Sequence, residues 1–476
     1  MTRSLRRAIC LLARASGLLA LLFLMGSTSQ ATSPNYLDVC ATGCTYSKVQ
    51  DAVDAITTSS ATNVYTIFID SGIVSNDDKS IITNGKSYIN FVGRGEGVSI
   101  VQAPAGWFTN ADSGSTHTDF FDLSSSSHIT IRALTIDARA NAPTGSGHAG
   151  YGGVRVDNSD SILVDGADIQ GLNYGLWQNA GTAGNMIEVF HSKILSSSTT
   201  IVAQYATWHI YSSEVKSLQT DTVFGGNDTV VALDLVNDQH LTIWGSHVHA
   251  ESSKAGAVGL VAAMRANLTA SGEVDVIGTQ LHLKIGTTNI GTSSKPMYAF
   301  YASSHYNSFA IQFNFVGSYL NYESPASISQ GVIGGIGYNK TNSGQTVNFV
   351  GGGIFDVGGS GGSYRADVIQ NGGLGSAPVF NVAGSKIGAA VSASGALPSG
   401  LGSGYATLNT QRGGVTLSGG TASVTLPTAL PDSSYSVAVS TGVNETIRVT
   451  GKSTTGFTVT SSNSGSTATV DWLVIR

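Results

Sequence analysis

Eight copies of one six-residue pattern constrain this chain more than any other feature. The pattern reads, loosely, apolar, any, small, small, polar, apolar. It runs as IRALTI ending at Ile136, VDGADI at Ile169, VFHSKI at Ile194 and IYSSEV at Val215. It returns as IWGSHV ending at Val248, VIGTQL at Leu281, FVGSYL at Leu320 and FVGGGI at Ile354. Successive closing residues lie 33, 25, 21, 33, 33, 39 and 34 positions apart. Self-similarity on this scale predicts a solenoid, in which a coil buries its apolar side chains only by stacking on its neighbours. The regular Leu/Asn pattern of leucine-rich repeats is absent, and a propeller demands four strands per repeat with tighter length control. Unequal coils suit a parallel β-helix, whose turns extrude loops without disturbing the stack.

Composition agrees with short strands. Charged residues are 11% of the 476, and there are 59 glycines. Abundant Gly, Ser and Thr make poor helices and good tight turns. One helix is predicted near the start, where Ser47 and Gln50 have capping-box spacing. Val49, Ala52, Val53 and Ile56 there fall at i, i+3, i+4 and i+7. Apolar strands follow at 64–69, 88–93 and 98–101. Such a helix closes the apolar end that an unfinished stack presents to water. Residues 384–412 loosen into Ala, Gly and Ser, read as a linker or a worn last coil. Residues 413–476 alternate cleanly, as in VTLSGGTASVTLP and ATVDWLVIR, and predict a compact β-sandwich. The expected fold is therefore all-β, a right-handed parallel β-helix with a capping helix and a C-terminal β-sandwich. Its segments are 1–31, 32–385, 386–412 and 413–476.

The first segment reads as an export signal. Arg3, Arg6, Arg7 and Arg14 precede the apolar run Gly17–Met25, and Ser29-Gln30-Ala31 offers a cleavage site. That run is too short to span a bilayer, which takes about 20 apolar residues. Removing 1–31 takes four of 24 Lys+Arg and none of 30 Asp+Glu, leaving a net charge of −10. Acidity of this size argues against nucleic acid or an anionic membrane as partner. A secreted or cell-surface location follows. Cys40 and Cys44 in VCATGCTYS read as a local disulfide in an exported chain, with one residue too many for a redox CxxC motif.

The opening CATGCTYSKVQDAVDAI, followed by YTIFIDSG and INFVGRGEGVSIV, resembles the N-terminal coil of secreted pectin-lyase-like β-helix proteins, pectin methylesterases among them. With the repeats, the resemblance covers roughly residues 37–385. It implies the fold; the reaction varies, since this architecture hosts lyases, hydrolases, esterases and non-catalytic adhesins. The C-terminal GTASVTLPTALPDSSYSV and VDWLVIR resemble modules that end phage tail spikes, which implies glycan contact or assembly of a homotrimer. Asp221-Thr222-Val223-Phe224-Gly225 resembles the segment of pectin methylesterases that carries a catalytic Asp. The partner Gln-Asp-Thr-Leu and Gly-Arg-Pro-Trp segments are missing, and Arg265 sits in other surroundings. Gly147-His148-Ala149 only brushes against the polygalacturonase Gly-His-Gly.

Stacking supplies candidates independent of any family. If each closing apolar residue points inward, its immediate neighbours point outward. One outward row then holds Lys193, Glu214, His247, Gln280 and Tyr319, and a second Lys216, His249, His282 and Asn321, with Glu251 facing the same way. Three readings of this His-rich face stay open: a glycan-binding or catalytic surface, a transition-metal ligand set, and an ordinary solvated face. A polysaccharide is the expected partner, contacted by His247, His249, His282 and Tyr319. If the chain is an enzyme, an esterase or lyase acting on an acidic glycan, Asp221 and Glu214 are the expected carboxylates. The rival is a non-catalytic surface or adhesion protein whose C-terminal module binds or trimerises. No cofactor is implied; Ca²⁺ suits the fold, but no dedicated oxygen-ligand loop is evident. The aromatic segment Tyr298–Phe315, with Trp208 and Trp244, divides between core packing and ligand contact, and Trp472 is expected in the terminal sandwich.

Overall fold

A computed structural model describes residues 35–475 apart from short stretches, the longest being 108–117, 143–150, 221–228, 287–295, 303–310, 325–331, 372–378 and 393–410. The expected export signal, Gly147-His148 and Asp221 lie outside the described residues.

Three long parallel sheets of 12, 11 and 10 strands form the body, a right-handed parallel β-helix. Each coil gives one strand to each sheet in turn. Thr207–Tyr211, Glu214–Gln219 and Val230–Val236 make one coil; His240–Trp244, His247–Ser252 and Val261–Asn267 make the next. Pairing is in register between them: Trp208 faces Leu241, Val215 faces Val248 and Leu233 faces Met264. The eight closing residues of the repeat form one continuous column, Ile136, Ile169, Ile194, Val215, Val248, Leu281, Leu320 and Ile354. All are essentially inaccessible to water, each stabilising the stack by roughly 1.5–3 kcal/mol. The 11-stranded sheet ends with Ala390–Ser392 on Tyr364–Asn371, so the last strand lies beyond residue 385.

The small positions of the repeat turn the corner between the 12- and 10-stranded sheets. Position three sits in left-handed conformation in every copy, with φ of 48° at Ser212, 59° at Gly245 and 55° at Gly278. Glycine meets that demand at least steric cost. Position four builds a hydroxyl ladder. The backbone N–H of Ser192 donates to Ser213 Oγ at 3.1 Å, that of Ser213 to Ser246 Oγ at 3.1 Å, and that of Ser246 to Thr279 Oγ1 at 3.3 Å. These bonds satisfy corner amides that no strand reaches. Ser246→Ala leaves the buried Ser213 N–H without its acceptor and is expected to cost about 1–3 kcal/mol. Urea unfolding checks this, with Ser246→Thr retaining most of the stability.

The entrance helix is Val49–Ala55, with Val49, Ala52 and Val53 buried as its spacing requires. The capping box does not form. Lys48 is the N-cap and makes no side-chain cap bond, while Gln50 Oε1 accepts from the Ile82 backbone N–H at 2.7 Å. Gln50 thus ties the helix to a strand instead of to its own first turn. Cys40 and Cys44 are joined with Cα atoms 5.5 Å apart. Trp208 lies inside the coils and Trp244 outside. Of the aromatic segment, Phe300, Phe313 and Phe315 pack in the interior with ring centres 4.9–5.2 Å apart.

Residues 411–475 form two three-stranded antiparallel sheets. Gln411–Thr416, Thr469–Ile475 and Ser436–Thr441 make one; Thr421–Thr425, Gly456–Ser461 and Ile447–Ser453 make the other. Their separate core includes Val459, Val470 and Trp472, whose ring meets Phe457 edge-on at 5.6 Å.

Candidate functional sites on the solenoid faces

The outer face of the 10-stranded sheet brings together the residues expected there. Lys193, Glu214, His247, Gln280 and Tyr319 lie in one row, and Lys216, His249, His282 and Asn321 in the next. His249 Nδ1 stands 3.1 Å from His282 Nδ1. His249 Nε2 faces Glu251 Oε2 at 3.2 Å, and His282 Nε2 faces Glu323 Oε1 at 3.9 Å. Lys284 Nζ lies between the two carboxylates, 3.5 Å from Glu251 and 3.7 Å from Glu323. The ring of His247 lies 5.6 Å from that of His249 and 6.2 Å from that of His282. Burial holds all three histidines below the usual imidazole range, and nearby Lys216 adds to this at His247 and His249. Neutral rings therefore face one another, and the His249–Glu251 contact is a hydrogen bond from ring N–H to carboxylate. Ligand atoms of the three histidines lie within 4.8 Å of one another. Glu214 is half-buried in this face between Lys193 and His247; Tyr319, 49% exposed, stands at its far end.

A second face carries rings. On the 12-stranded sheet Phe190, Tyr211 and Trp244 occupy the same position in three consecutive coils. Phe190 and Tyr211 stack at 4.9 Å and 19°, and Trp244 follows at 6.3 Å, 40% exposed. Two residues earlier on the same strands, Glu188 pairs with His209 Nδ1 at 3.6 Å. The Trp244 ring is turned 64° from that of Tyr211, so two stacked rings and one edge-on ring run along the solenoid axis, bordered by polar groups.

The third face, outside the 11-stranded sheet, holds buried charge. Asp119 accepts a hydrogen bond from Trp177 Nε1, two coils away. Gly152 on the intervening coil makes room for it: a Cβ there would stand 2.0 Å from Asp119 Oδ1. Burial pushes the Asp119 carboxyl up to about 8, against the pull of Trp177 and Arg155. Arg155 holds Asp157 by two hydrogen bonds and lies 5.2 Å over the Trp177 ring. Farther along, Arg265 clasps Asp234 through Nε at 2.7 Å and a second guanidinium nitrogen. Tyr298 and Tyr301 stack on the following coil.

No family model matches the chain, and no curated protein does. Among solved structures it is similar to the tailspike of Pseudomonas phage phi297, at 11% identity and TM-score 0.37, over 87% of this chain and 67% of that one. It is also similar to the mannuronan C-5 epimerase A-module of Azotobacter vinelandii, at 10% identity and TM-score 0.39, over 72% and 92% of the two chains. Carrot pectin methylesterase aligns at 14% identity and TM-score 0.31, over 67% and 85%.

Two of the three faces escaped the sequence reading. Phe190, Tyr211 and Trp244 fill the second position of the repeat, which carries no constraint in the pattern as written. Reading that column downward would have exposed the rings. Asp234 and Arg265 lie 31 residues apart in LDLV and MRAN, about one coil, yet their strands share no motif. Ten residues separate Gln219 from Val230 and eight separate Ser252 from Val261, which blurs the spacing.

Proposed function

We propose that this protein binds a polysaccharide laid along its solenoid, with sugar rings docked on Phe190, Tyr211 and Trp244. The observation that carries the reading is the in-register column of three rings on consecutive coils, two stacked and the third turned edge-on and 40% exposed. Aromatic rings take up the apolar C–H faces of sugars, and coils repeating every ~4.8 Å set such rings at regular steps along the axis. Glu188, His209 and the His-rich face beyond the corner supply polar contacts for hydroxyl groups. Export to an extracellular or cell-surface site fits such a ligand. Trp244→Ala is expected to weaken binding about tenfold, near 1–2 kcal/mol, with Tyr211→Ala similar. Calorimetry on neutral and acidic polysaccharides checks this. Unchanged affinity in both variants, or full binding by residues 406–476 alone, would transfer recognition to the C-terminal module.

A second reading, esterase or lyase chemistry on an acidic glycan, is favoured by Asp119, whose carboxyl keeps its proton up to about 8. A protonated carboxyl with Arg155 nearby suits a proton donor. Screening Asp119→Asn, Asp221→Ala and Glu214→Ala for turnover on methylated and unmethylated pectins tests it. Activity surviving all three changes sinks the catalytic reading.

A further inference from the structure

We propose that His247, His249 and His282 form a binding site for one late first-row divalent cation, of which Zn²⁺ is the representative. Ring-nitrogen arithmetic leads there. A neutral imidazole has one N–H and one bare nitrogen. His249 Nε2 faces the Glu251 carboxylate at 3.2 Å and must carry the hydrogen, so His249 Nδ1 is bare. That bare nitrogen points at His282 Nδ1, 3.1 Å away. If His282 Nδ1 carries a hydrogen, the pair is satisfied, but His282 Nε2 is then a bare, buried nitrogen turned toward the Glu323 carboxylate. If His282 Nε2 carries it instead, two lone pairs oppose each other at 3.1 Å. Among the described residues, the buried His247 Nε2 has no hydrogen-bond partner, and neither does His282 Nε2. With one hydrogen on each ring, either arrangement leaves a buried ring nitrogen without a hydrogen-bond partner, while one nitrogen of each ring lies within 4.8 Å of the others.

A cation resolves the conflict in one step. It takes the two facing Nδ1 atoms and a nitrogen of His247, leaving the His249 Nε2–H to donate to Glu251 and the His282 Nε2–H turned toward Glu323, 3.9 Å away. Histidine ligands almost always hold their second ring nitrogen against a carboxylate in this manner. The spacing fits as well. Two nitrogens bound at tetrahedral Zn²⁺ stand ~3.3 Å apart, against 3.1 Å for the facing pair and no more than 4.8 Å within the set. Three nitrogens and no oxygen favour Zn²⁺, Co²⁺, Ni²⁺ or Cu²⁺ over Ca²⁺ and Mg²⁺. Three ligands leave a tetrahedral ion one position for water or an incoming group. Lys216 and Lys284 oppose a cation here, and Glu251 and Glu323 offset Lys284. None of this depends on the aromatic ladder, which lies on another sheet.

The test uses the full exported chain, without a polyhistidine tag and stripped by chelator. Co²⁺ titration near neutral pH is expected to saturate at one ion per chain, with the intense visible bands of a four- or five-coordinate nitrogen-bound ion, and Zn²⁺ should displace it while Ca²⁺ does not. His249→Ala and His282→Ala should each weaken binding about 100-fold or more, and Glu251→Gln, which keeps all three rings, about tenfold or more. Circular dichroism confirms that each variant retains its strands. Trp244→Ala should leave metal binding unchanged. Lack of saturable binding, a weak octahedral Co²⁺ spectrum, or affinity unaltered by Glu251→Gln and both histidine changes would overturn the proposal.

Discussion

Val248→Asp is expected to abolish the cooperative unfolding transition of the solenoid. Val248 is fully buried between Val215 below and Leu281 above, in a column of aliphatic side chains with no polar group to receive a carboxylate. Parallel stacking leaves no room to slide, since a one-residue shift would turn every inward side chain of that strand outward. A buried, unpaired carboxylate costs several kcal/mol even after it takes up a proton. Domains hold only about 5–15 kcal/mol in total, so one such group consumes most of it. Gln280→Asp, on the next coil and one residue before Leu281, faces outward and should change stability by less than about 1 kcal/mol. Urea unfolding followed by circular dichroism separates the two. Equal effects at both positions would contradict the inward–outward alternation.

Asp119→Asn is expected to stabilise the protein at alkaline pH and to leave it unchanged near pH 4. In the folded chain the carboxyl holds its proton up to about 8, whereas an unfolded chain releases it near ~3.9. Between those values the native state binds the extra proton, so stability falls as pH rises from about 4 to about 8 and then levels. Charged neighbours Arg155, Asp122 and Asp157 modulate this, and burial dominates. Asparagine keeps an oxygen for the Trp177 N–H and never ionises. The gain over the parent chain should therefore open above pH 4 and reach a few kcal/mol by pH 9. Melting temperatures across that range give the answer. Parallel profiles for parent and variant would mean that Asp119 ionises in the folded state as freely as in the unfolded one.

Much of the architecture was legible because a solenoid converts sequence spacing into contact. The closing residues from Ile136 to Ile354 predicted the column, and their neighbours predicted the two rows that unite Glu214, His247, His249, His282 and Tyr319. The close approach of three rings could not be read, since it depends on side-chain torsions that the repeat does not encode. The aromatic ladder was hidden by degeneracy: its column runs from Arg132 and Asp165 through Phe190, Tyr211 and Trp244 to Ile277 and Val316. An outward column tolerates any of these. Asp119 was invisible for another reason, because its burial arises from contact two coils away across Gly152, a contact no local pattern records. Lys48 at the helix start shows the limit of capping signatures: Ser47 and Gln50 have the right spacing, yet tertiary contact drew Gln50 to Ile82.

Coil register is most directly tested by paired cysteines on the outward row. Cys40 and Cys44 are already joined, and with Cys10 changed to Ser the introduced thiols report only on each other. Glu214→Cys with His247→Cys places two Cα atoms ~4.8 Å apart on adjacent coils, inside the 4.4–6.8 Å window of a disulfide. Glu214→Cys with Gln280→Cys doubles the separation and lies outside it. Mild oxidation should crosslink the first pair in the folded protein and not the second. Crosslinking of Glu214→Cys with Gln280→Cys, while the adjacent pair stays reduced, would show that these coils do not stack as described.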